Sequence, residues 1–308
     1  MRIGVYAICK NEGKHVDEWL KSVSEADVVC VTDTGSTDDT VEKLLQGGAV
    51  VTYYTEPFRF DKARNFALEQ ANKCGVDVWV SLDLDEMPEP GWRKKLEKAA
   101  CIQTVRGWRI TIDNGSYSFQ NIRCHMPDGW EWKHACHEVL CGPGPVGDAG
   151  FTVVHKQDPG KPRDYLPLLE LDAKENPKDG RAWHYLGREY MYLGRWEDAL
   201  YAFDDAECFD EWAEQLGRTE VFASRCHWHL GKTKLARDYA IEAVREFGSR
   251  EAWVNLAWIL EQQNDPTAAI AAENALKIKK RGLYPCEPSA WSAATEKWLH
   301  ILAEGADK

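Results

Sequence analysis

Three carboxylates follow a short apolar segment in the N-terminal half of the chain. Asp83, Asp85 and Glu86 come directly after residues 78–82, whose alternating apolar side chains predict a buried strand. Ligands of open α/β sheets bind at the carboxyl ends of the strands. Carboxylate oxygens on alternate residues can converge on a divalent cation that grips a phosphate. A solvated turn after a strand would have the same composition, so the rest of the chain must decide between the two interpretations.

Strand and helix patterns alternate over the first 85 residues. Strands are predicted at residues 2–9, 27–32, 49–54 and 76–82, and helices at 14–24, 38–45 and 61–72, the last capped by Asp61. Short links between them predict a parallel sheet covered on both faces. Strand patterns at 106–112 and 117–123 flank a hairpin-type turn, residues 142–145 form a loop, and a closing strand is predicted at 151–155.

The period becomes helical after a Pro- and Gly-rich segment at 158–162, which is predicted to be a linker. Residues 183–190 fit the W-x2-L-G-x2-Y start of a tetratricopeptide repeat, and two looser copies follow. Gly194, Gly231 and Asp265 are 37 and 34 residues apart, close to the ~34-residue repeat length. An α-solenoid is therefore expected, with a generic helical bundle with Ala-rich seams as the alternative.

Composition limits the classes of function. The 308 residues carry 38 basic and 50 acidic side chains, and the net charge of −12 argues against chain-wide attraction to nucleic acid or anionic membrane. No apolar run reaches the ~18–20 residues that span a bilayer. Ten cysteines without a C-x-x-C pair, in a chain that starts without a signal-peptide pattern, predict reduced thiols and a cytoplasmic protein.

Four polar segments lie where the predicted strands end or a helix begins, at residues 7–12, 33–40, 58–65 and 83–86. Together they resemble the nucleotide-sugar domain of family-2-type glycosyltransferases of the GT-A fold, especially members with tetratricopeptide repeats behind the catalytic domain. The resemblance covers about residues 1–160 and continues through the repeats. It implies an α/β GT-A (Rossmann-like) catalytic domain at 1–160 and an all-α helical repeat domain at 161–308.

The resemblance also implies a donor site. Asp33 would accept hydrogen bonds from the nucleobase or ribose, and Arg64 would meet the charge of the diphosphate. The alternative for Arg64 is a solvated helix face, and Ser36 and Asp38 are also typical helix caps. The implied nucleotide-sugar contacts are Ala7, Lys10, Asn11, Glu12, Asp33, Gly35, Arg64 and Asp83.

The metal site implied by the resemblance consists of Asp85 and His155, while Asp83 reaches the ribose or the sugar. A mixed oxygen and imidazole site favours Mn²⁺, with Mg²⁺ also workable. A lone histidine after an apolar strand is more often an ordinary surface or core residue. Cys124, His125, His134, Cys136, His137 and Cys141 offer structural zinc as a further alternative.

The acceptor side of the site is expected near residues 134–138. An inverting transfer needs a carboxylate that takes the acceptor's proton, and Glu138 is the first candidate, ahead of Asp83 and Glu86. The acidic-aromatic dipeptide and Gln-x-x-Arg-Trp helix of the family's commonest pattern are absent, which leaves the identity of the base open. Trp130 and Trp132 are expected either to stack on a sugar or base or to pack a small lobe.

The expected function is a metal-dependent, inverting transfer of a hexosyl group from a nucleoside-diphosphate sugar, with UDP as the expected nucleotide. The acceptor is a peptide or protein bound along the repeats, an envelope glycan or a modified DNA base, the last disfavoured by charge. The alternative is a non-catalytic scaffold that binds a nucleotide sugar. A nucleotidyltransferase is disfavoured because no Gly-rich basic loop follows the first strand.

Overall fold

A computed structural model describes residues 1–156, 164–279, 282 and 287–304. The chain divides into two compact units, Met1–Arg163 and Asp164–Lys308. The linker predicted at 158–162 lies outside the described residues.

The first unit alternates strands and helices as far as β4 and is mainly β-structure afterwards. Its helices are α1 (Val16–Ser22), α2 (Thr40–Gln46), α3 (Phe60–Asn72) and α4 (Trp92–Ala100). Its strands are β1 (Ile3–Cys9), β2 (Val28–Asp33), β3 (Val50–Tyr53), β4 (Val78–Ser81), β5 (Glu86–Pro88), β6 (Gly107–Asp113), β7 (Ser118–His125), β8 (Glu131–Lys133), β9 (Val139–Cys141) and β10 (Val146–His155). Helix α3 begins at Phe60 with Arg59 as its N-cap, so the prediction that Asp61 caps this helix is wrong.

Eight strands form one mixed sheet in the order β3-β2-β1-β4-β7-β6-β10-β5, and β8 and β9 form a separate hairpin. The predicted parallel arrangement holds for β3-β2-β1-β4. Strand β7 then pairs antiparallel with β4, and the β6–β7 hairpin and β10 continue the sheet. The parallel half therefore supplies the strand ends at 9, 33 and 81. In the other half, β10 pairs parallel with β6 and antiparallel with β5.

Strand β1 lies at the centre of the parallel half, and all seven of its residues are buried. Val5 and Ala7 pack into one apolar cluster with Trp19 of α1. Tyr6 and Ile8 point into a second cluster with Ala63 and other residues of α3. The sheet is thus covered on both faces, as the strand pattern predicts.

The second unit consists of helices in its described parts. They are α5 (Leu166–Glu175), α6 (Gly180–Tyr192), α7 (Trp196–Phe209), α8 (Ala213–His229), α9 (Thr233–Glu246), α10 (Arg250–Gln262), α11 (Ala268–Lys277), a short 3-10 helix (Pro288–Trp291) and α12 (Ala293–Glu304). None of the helices described in either unit has both the length and the apolarity needed to cross a membrane.

Three helix pairs, α6–α7, α8–α9 and α10–α11, repeat the same turn. Gly194 and Gly231 adopt a φ of +73° in the first two turns, and Asn264 adopts +55° in the third. Asparagine tolerates the left-handed region, so Asn264 takes the place that the sequence pattern assigned to Asp265. Close packing within a pair is visible at Gly187, where a Cβ atom would lie 2.5 Å from the ring of Phe203.

Candidate functional site

The loops after β1 and β2 are joined side by side at the carboxyl edge of the sheet. Three consecutive backbone N–H groups donate to side chains of the second loop, namely those of Asn11 to Ser36 Oγ (2.9 Å), Glu12 to Thr40 Oγ1 (2.8 Å) and Gly13 to Asp38 Oδ2 (3.1 Å). These bonds satisfy backbone donors that no strand partner reaches. Two of the four segments singled out in the sequence therefore form one surface.

Asp33 organises the second loop from its base. Its carboxylate accepts the backbone N–H of Gly35 at 3.0 Å and that of Ser36 at 3.1 Å, and the residue is buried. Gly35 has a φ of +102°, and no atom would lie within 4 Å of an added Cβ, so backbone conformation and not space calls for glycine. Ser36 and Asp38 bind the first loop, and Asp38 Oδ1 also accepts the N–H of Thr40 at the start of α2.

The predicted contact residues at the end of β1 and in the first loop differ in solvent exposure. Lys10 and Asn11 are exposed, and the side chain of Asn11 accepts the backbone N–H of Thr37 at 2.7 Å. Glu12 is partly buried. Ala7 is fully buried in the core, so its methyl group does not line a surface where a base would bind.

Arg64 of α3 joins two of the predicted catalytic residues. Its Nη2 donates to Asp83 Oδ2 at 2.8 Å, and its Nε donates to Glu138 Oε1 at 2.5 Å. The guanidinium lies over the ring of Trp132 at 4.8 Å, and the residue is only 3% exposed. The solvated helix face offered as the alternative for Arg64 is therefore wrong. One guanidinium holds the end of β4 against the segment before β9.

A second arginine, Arg123 of β7, supports Asp83 together with Glu86, and the sequence did not reveal it. Its Nη2 donates to Glu86 Oε1 at 3.1 Å, and its Nη1 lies 3.9 Å from Asp83 Oδ2. Glu86 Oε2 in turn accepts the backbone N–H of Asp83 at 2.9 Å. The only signal in the sequence is a basic residue within a strand pattern, because the register that sets β7 beside β4 is not visible there.

The pKa values of the neighbouring residues Asp83 and Glu86 are shifted in opposite directions. Burial raises the pKa of Asp83, but the guanidinium groups of Arg64 and Arg123 outweigh it and lower that pKa to about 2. Glu86 has a raised pKa, mainly because it is buried. Asp83 is thus ionised throughout the neutral range, which suits an acceptor of hydrogen bonds.

Asp85 and His155, the two predicted metal ligands, lie side by side. His155 Nε2 is 3.2 Å from Asp85 Oδ2, and the antiparallel pairing of β10 with β5 places His155 opposite Glu86. Burial lowers the pKa of His155, but the carboxylate of Asp85 outweighs it and raises that pKa above the ordinary value.

The donor set at this position fits a divalent cation. Two ligands about 2.1 Å from an octahedral ion and at right angles lie about 3 Å apart, close to the observed separation of Asp85 and His155. Asp83 Oδ1 is buried and has no hydrogen-bond partner among the described residues. No group of three or more His, Cys, Asp or Glu side chains suited to a metal ion occurs in the described parts of the chain. An ion held here would therefore take further ligands from phosphate and water.

A buried row of hydrogen bonds links Trp132, which packs against Arg64, to Tyr6 and His125. Trp132 Nε1 donates to Tyr6 Oη at 2.9 Å, and Tyr6 Oη lies 3.1 Å from His125 Nε2. His125 Nδ1 contacts the carbonyl of Met126 at 2.8 Å, so Nδ1 carries the proton and Nε2 accepts from Tyr6. Burial lowers the pKa of His125 to about 4 and raises that of Tyr6 to about 12, which keeps both groups neutral.

The hydrogen bonds and burial around Tyr6 and Trp132 decide between two pairs of alternatives that the sequence left open. His125 is committed to Tyr6 and Met126, and Cys124 is buried in the apolar core, so neither is arranged for structural zinc. Trp130 and Trp132 are both buried, which favours packing over stacking on a ligand. Asn65 fixes the strand that carries Trp132 by exchanging two hydrogen bonds of 2.8 Å with its backbone.

Comparison with known families identifies the first unit. Residues 5–138 match the model of glycosyl transferase family 2. The N-terminal unit contains a family 2 glycosyl transferase domain. Residues 225–284 match a tetratricopeptide repeat model, which confirms the repeats expected from the sequence. The family 2 match ends at Glu138, so His155 lies beyond it.

Solved structures similar to this chain include complexes of glucosyl-3-phosphoglycerate synthase from Mycobacterium tuberculosis. The complex with Mn²⁺, UDP and phosphoglyceric acid is 21% identical over 37% of this chain and 44% of that chain, with a TM-score of 0.32. The complex with Mg²⁺ and UDP is 22% identical over 36% and 43%, also with a TM-score of 0.32. The chain spans less than half the length of these synthases, and similarity at this level carries no argument about its own ligands.

Proposed function

We propose that the chain is a metal-dependent glycosyltransferase that moves a hexosyl group from a nucleoside-diphosphate sugar, with a UDP-sugar as the expected donor. The observation that carries the proposal is the guanidinium of Arg64, which holds Asp83 and Glu138 on the edge where Asp85 meets His155. The family 2 domain at residues 5–138 supports the same class of reaction.

The balance of charge at this edge explains why a cation is needed. With all four carboxylates ionised and His155 neutral, Asp83, Asp85, Glu86 and Glu138 exceed the two guanidinium groups, Arg64 and Arg123, by a formal charge of −2. An anionic diphosphate would be repelled by this excess. Asp85 and His155 are the proposed ligands of a divalent cation, which when bound neutralises charge on the departing nucleoside diphosphate.

Asp83 and Glu138 have distinct proposed roles. Asp83, ionised at all working pH values, accepts hydrogen bonds from hydroxyl groups of the donor. Glu138 takes the proton of the acceptor hydroxyl as its oxygen attacks the anomeric carbon, and the bond to the diphosphate breaks on the opposite face, which inverts the anomeric centre. Arg64 is a positioning residue for both, because a rigid fork of N–H donors fixes two carboxylates at once.

The acceptor remains one of three classes, a peptide or protein side chain, a glycan or a modified DNA base. The tetratricopeptide match at 225–284 favours a surface for partner molecules in the second unit. A scaffold that binds a nucleotide sugar without transferring it is the second candidate function, and the repeats alone would serve it equally well.

Calorimetry of UDP binding tests the donor site. Binding should be strengthened by Mn²⁺ or Mg²⁺, and Asp85→Asn should weaken the metal-dependent part at least on the order of 10–100-fold, the loss typical of residues that only support a ligand. The matched control is Asp17→Asn, which removes the same charge from an exposed position on α1. Equal UDP affinity in Mn²⁺ and in EDTA would remove the metal from the proposal.

A turnover assay distinguishes the proposed enzyme from the alternative, a non-catalytic scaffold. With Mn²⁺ present, the wild-type chain should slowly hydrolyse at least one sugar in a panel of UDP-, GDP- and TDP-sugars, and Asp85→Asn should not. Tight UDP binding without hydrolysis or transfer of any donor would favour the scaffold.

A further inference from the structure

The repeat unit contains a cavity that the proposed chemistry does not use. It has a volume of about 360 Å³ and lies among α8, α10, the short 3-10 helix and α12. We call it the tryptophan pocket, after the three indole side chains in its lining, Trp228, Trp258 and Trp298. Its size falls in the range of pockets that bind small molecules, roughly 300–1,000 Å³.

The aromatic lining leaves flat apolar surface open to solvent. Trp228 and Trp258 meet edge to face, with ring centroids 5.0 Å apart at 69°. Trp258 remains 38% exposed although it comes from a helix that is otherwise largely buried. Trp298 has its ring N–H committed to Glu261 at 3.2 Å, so it contributes ring surface and no donor. Exposed indole surface is unfavourable in water and becomes favourable when a ligand covers it.

The polar lining is arranged in advance and carries no net charge. Arg225 donates from both terminal nitrogens to the two oxygens of Glu287, each at 2.8 Å, and from Nε to Asn255 Oδ1 at 3.3 Å. Asn255 Nδ2 donates to Ser224 Oγ at 3.0 Å. Within the part of the lining that the structure describes, the Arg225–Glu287 pair therefore offers neither a phosphate nor an ammonium group an unpaired counter-charge.

Hydrogen-bonding capacity nevertheless remains in this lining. A carboxylate has about four acceptor positions and an amide oxygen two, so Glu287 and Asn255 can accept further hydrogen bonds from hydroxyl groups. A matching ligand is neutral, has flat apolar faces to lie against indole rings and carries several hydroxyl groups at its edge. A pyranose ring has these properties.

The chain itself disfavours an extended peptide at this position. The segment that includes the short 3-10 helix already crosses α10, where Arg250 Nε donates to the carbonyl of Ala290 at 2.9 Å and Trp291 Nε1 donates to Glu251 Oε1 at 2.9 Å. These contacts hold the segment against α10. What remains open is a compact pocket beside the segment.

We propose that the tryptophan pocket is a saccharide-binding site that takes one or two neutral pyranose rings. The proposal concerns the second unit alone and does not depend on transfer by the first unit. If the proposed transferase function is correct, a saccharide site in the repeats favours a glycan among the three acceptor classes.

The test is binding of neutral saccharides to the full chain in EDTA and without any nucleotide sugar. Saturation-transfer NMR would screen methyl glucoside, methyl galactoside, methyl N-acetylglucosaminide and disaccharides of the same sugars, and calorimetry would give affinities. At least one should bind, and Trp258→Ala should weaken its binding at least about tenfold, the loss expected for one stacked aromatic contact. Ser289→Ala, which removes a hydroxyl from the lining, is a second variant should Trp258→Ala fold poorly.

The matched control is Tyr201→Ala, which removes an aromatic side chain that is 68% exposed on α7, outside the pocket lining. Its saccharide affinity should equal that of the wild type. If a glycopeptide binds more tightly than the same free sugar, the ligand is a protein-linked glycan. If the two affinities are equal, the ligand is a free saccharide. Absence of binding across the panel, unchanged affinity in Trp258→Ala and Ser289→Ala, or binding of a sugar-free peptide instead would overturn the proposal without bearing on UDP or metal binding in the first unit.

Discussion

At the scale of single residues, the candidate site depends on two buried arginines that share their donors among carboxylates. Arg64 contacts Asp83 and Glu138, and Arg123 contacts Glu86 and lies near the same Asp83 oxygen as Arg64. Removing one partner of such a buried pair leaves an uncompensated charge, at a cost of about 3–5 kcal/mol. Substitutions that test function should therefore keep the shape and hydrogen-bonding capacity of the side chain.

Glu138→Gln meets this condition and tests the proposed base. Glutamine keeps an oxygen that can accept from Arg64 Nε, but it cannot take a proton from the acceptor. Transfer to a hydroxyl acceptor should fall ~10²–10⁴-fold, while UDP affinity stays near that of the wild type. The measurement is acceptor transfer at saturating donor, together with calorimetry of UDP.

The control is Glu131→Gln, an exposed glutamate on β8 that is close in sequence and outside these ion pairs. It should leave both measurements unchanged. Wild-type transfer by Glu138→Gln would exclude Glu138 and return the role to Asp83 or Glu86. Of these, Asp83 has a pKa lowered to about 2, and the carboxylate of Glu86 accepts hydrogen bonds from both Arg123 and the backbone N–H of Asp83.

Site residues at the ends of predicted strands could be predicted from the sequence. The residues that support them could not. Asp83, Asp85 and His155 each end or follow a strand, and strand ends of one sheet share an edge. Arg123 is inside a strand, and its role follows from antiparallel pairing between β4 and β7, which involves residues more than forty positions apart. Local periodicity carries no information about such pairing.

At the scale of elements, sequence periodicity predicted most helices and strands of the first unit but not the arrangement of the later strands. The β6–β7 hairpin was predicted from its turn residues. Its insertion between β4 and β10 was not, because an edge strand of a parallel sheet can accept either orientation of partner. The repeats were easier to predict, because each helix pair contacts mainly its neighbours.

Helices α7, α8 and α9 bring together carboxyl groups that should make the stability of the repeats depend on pH. Burial, with a contribution from neighbouring carboxylates, raises the pKa of Glu207 to about 7 and that of Glu220 to about 8. Buried oxygens of both residues, Glu207 Oε1 and Glu220 Oε2, have no hydrogen-bond partner among the described residues. In the unfolded chain both groups return to the ordinary value near 4.5.

The folded state therefore binds more protons than the unfolded state between about pH 4.5 and pH 8. Its stability is greatest at the acidic end of this window and is lost as pH rises through 7 and 8. Glu220→Gln should stabilise the repeats at pH 8.5 on the order of 2–4 kcal/mol and have little effect at pH 5. Urea unfolding followed by circular dichroism at both pH values measures this.

Glu273→Gln is the matched control, because Glu273 is an exposed glutamate on α11 whose carboxylate is 3.9 Å from Lys277. It should change the urea midpoint little at either pH. If Glu220→Gln gives the same change in stability at pH 5 and pH 8.5, protonation of Glu220 is not the cause and the side chain acts through packing.

At the scale of the whole molecule, each unit has its own apolar clusters. The clusters around β1 lie within Met1–Arg163, and those of the helical repeats lie within Asp164–Lys308. All the residues proposed for donor binding, metal binding and catalysis belong to the first unit, and the tryptophan pocket belongs to the second. Donor chemistry and acceptor recognition should therefore be separable by cutting the chain between the units.

A fragment of residues 1–163 should bind UDP with metal dependence like that of the full chain and hydrolyse the donor slowly, but transfer to the natural acceptor should be lost. Covalent linkage gives two sites an effective concentration that can reach the millimolar range, so adding residues 164–308 at micromolar concentration should restore little of the transfer. The comparison uses three measurements on the full chain, the fragment and the mixture: calorimetry with UDP, donor hydrolysis and acceptor transfer.

Hydrolysis of the donor by the fragment shows that it is folded and active. Full acceptor transfer by such a fragment would contradict the assignment of acceptor recognition to the repeats and would move the acceptor site onto the family 2 domain itself.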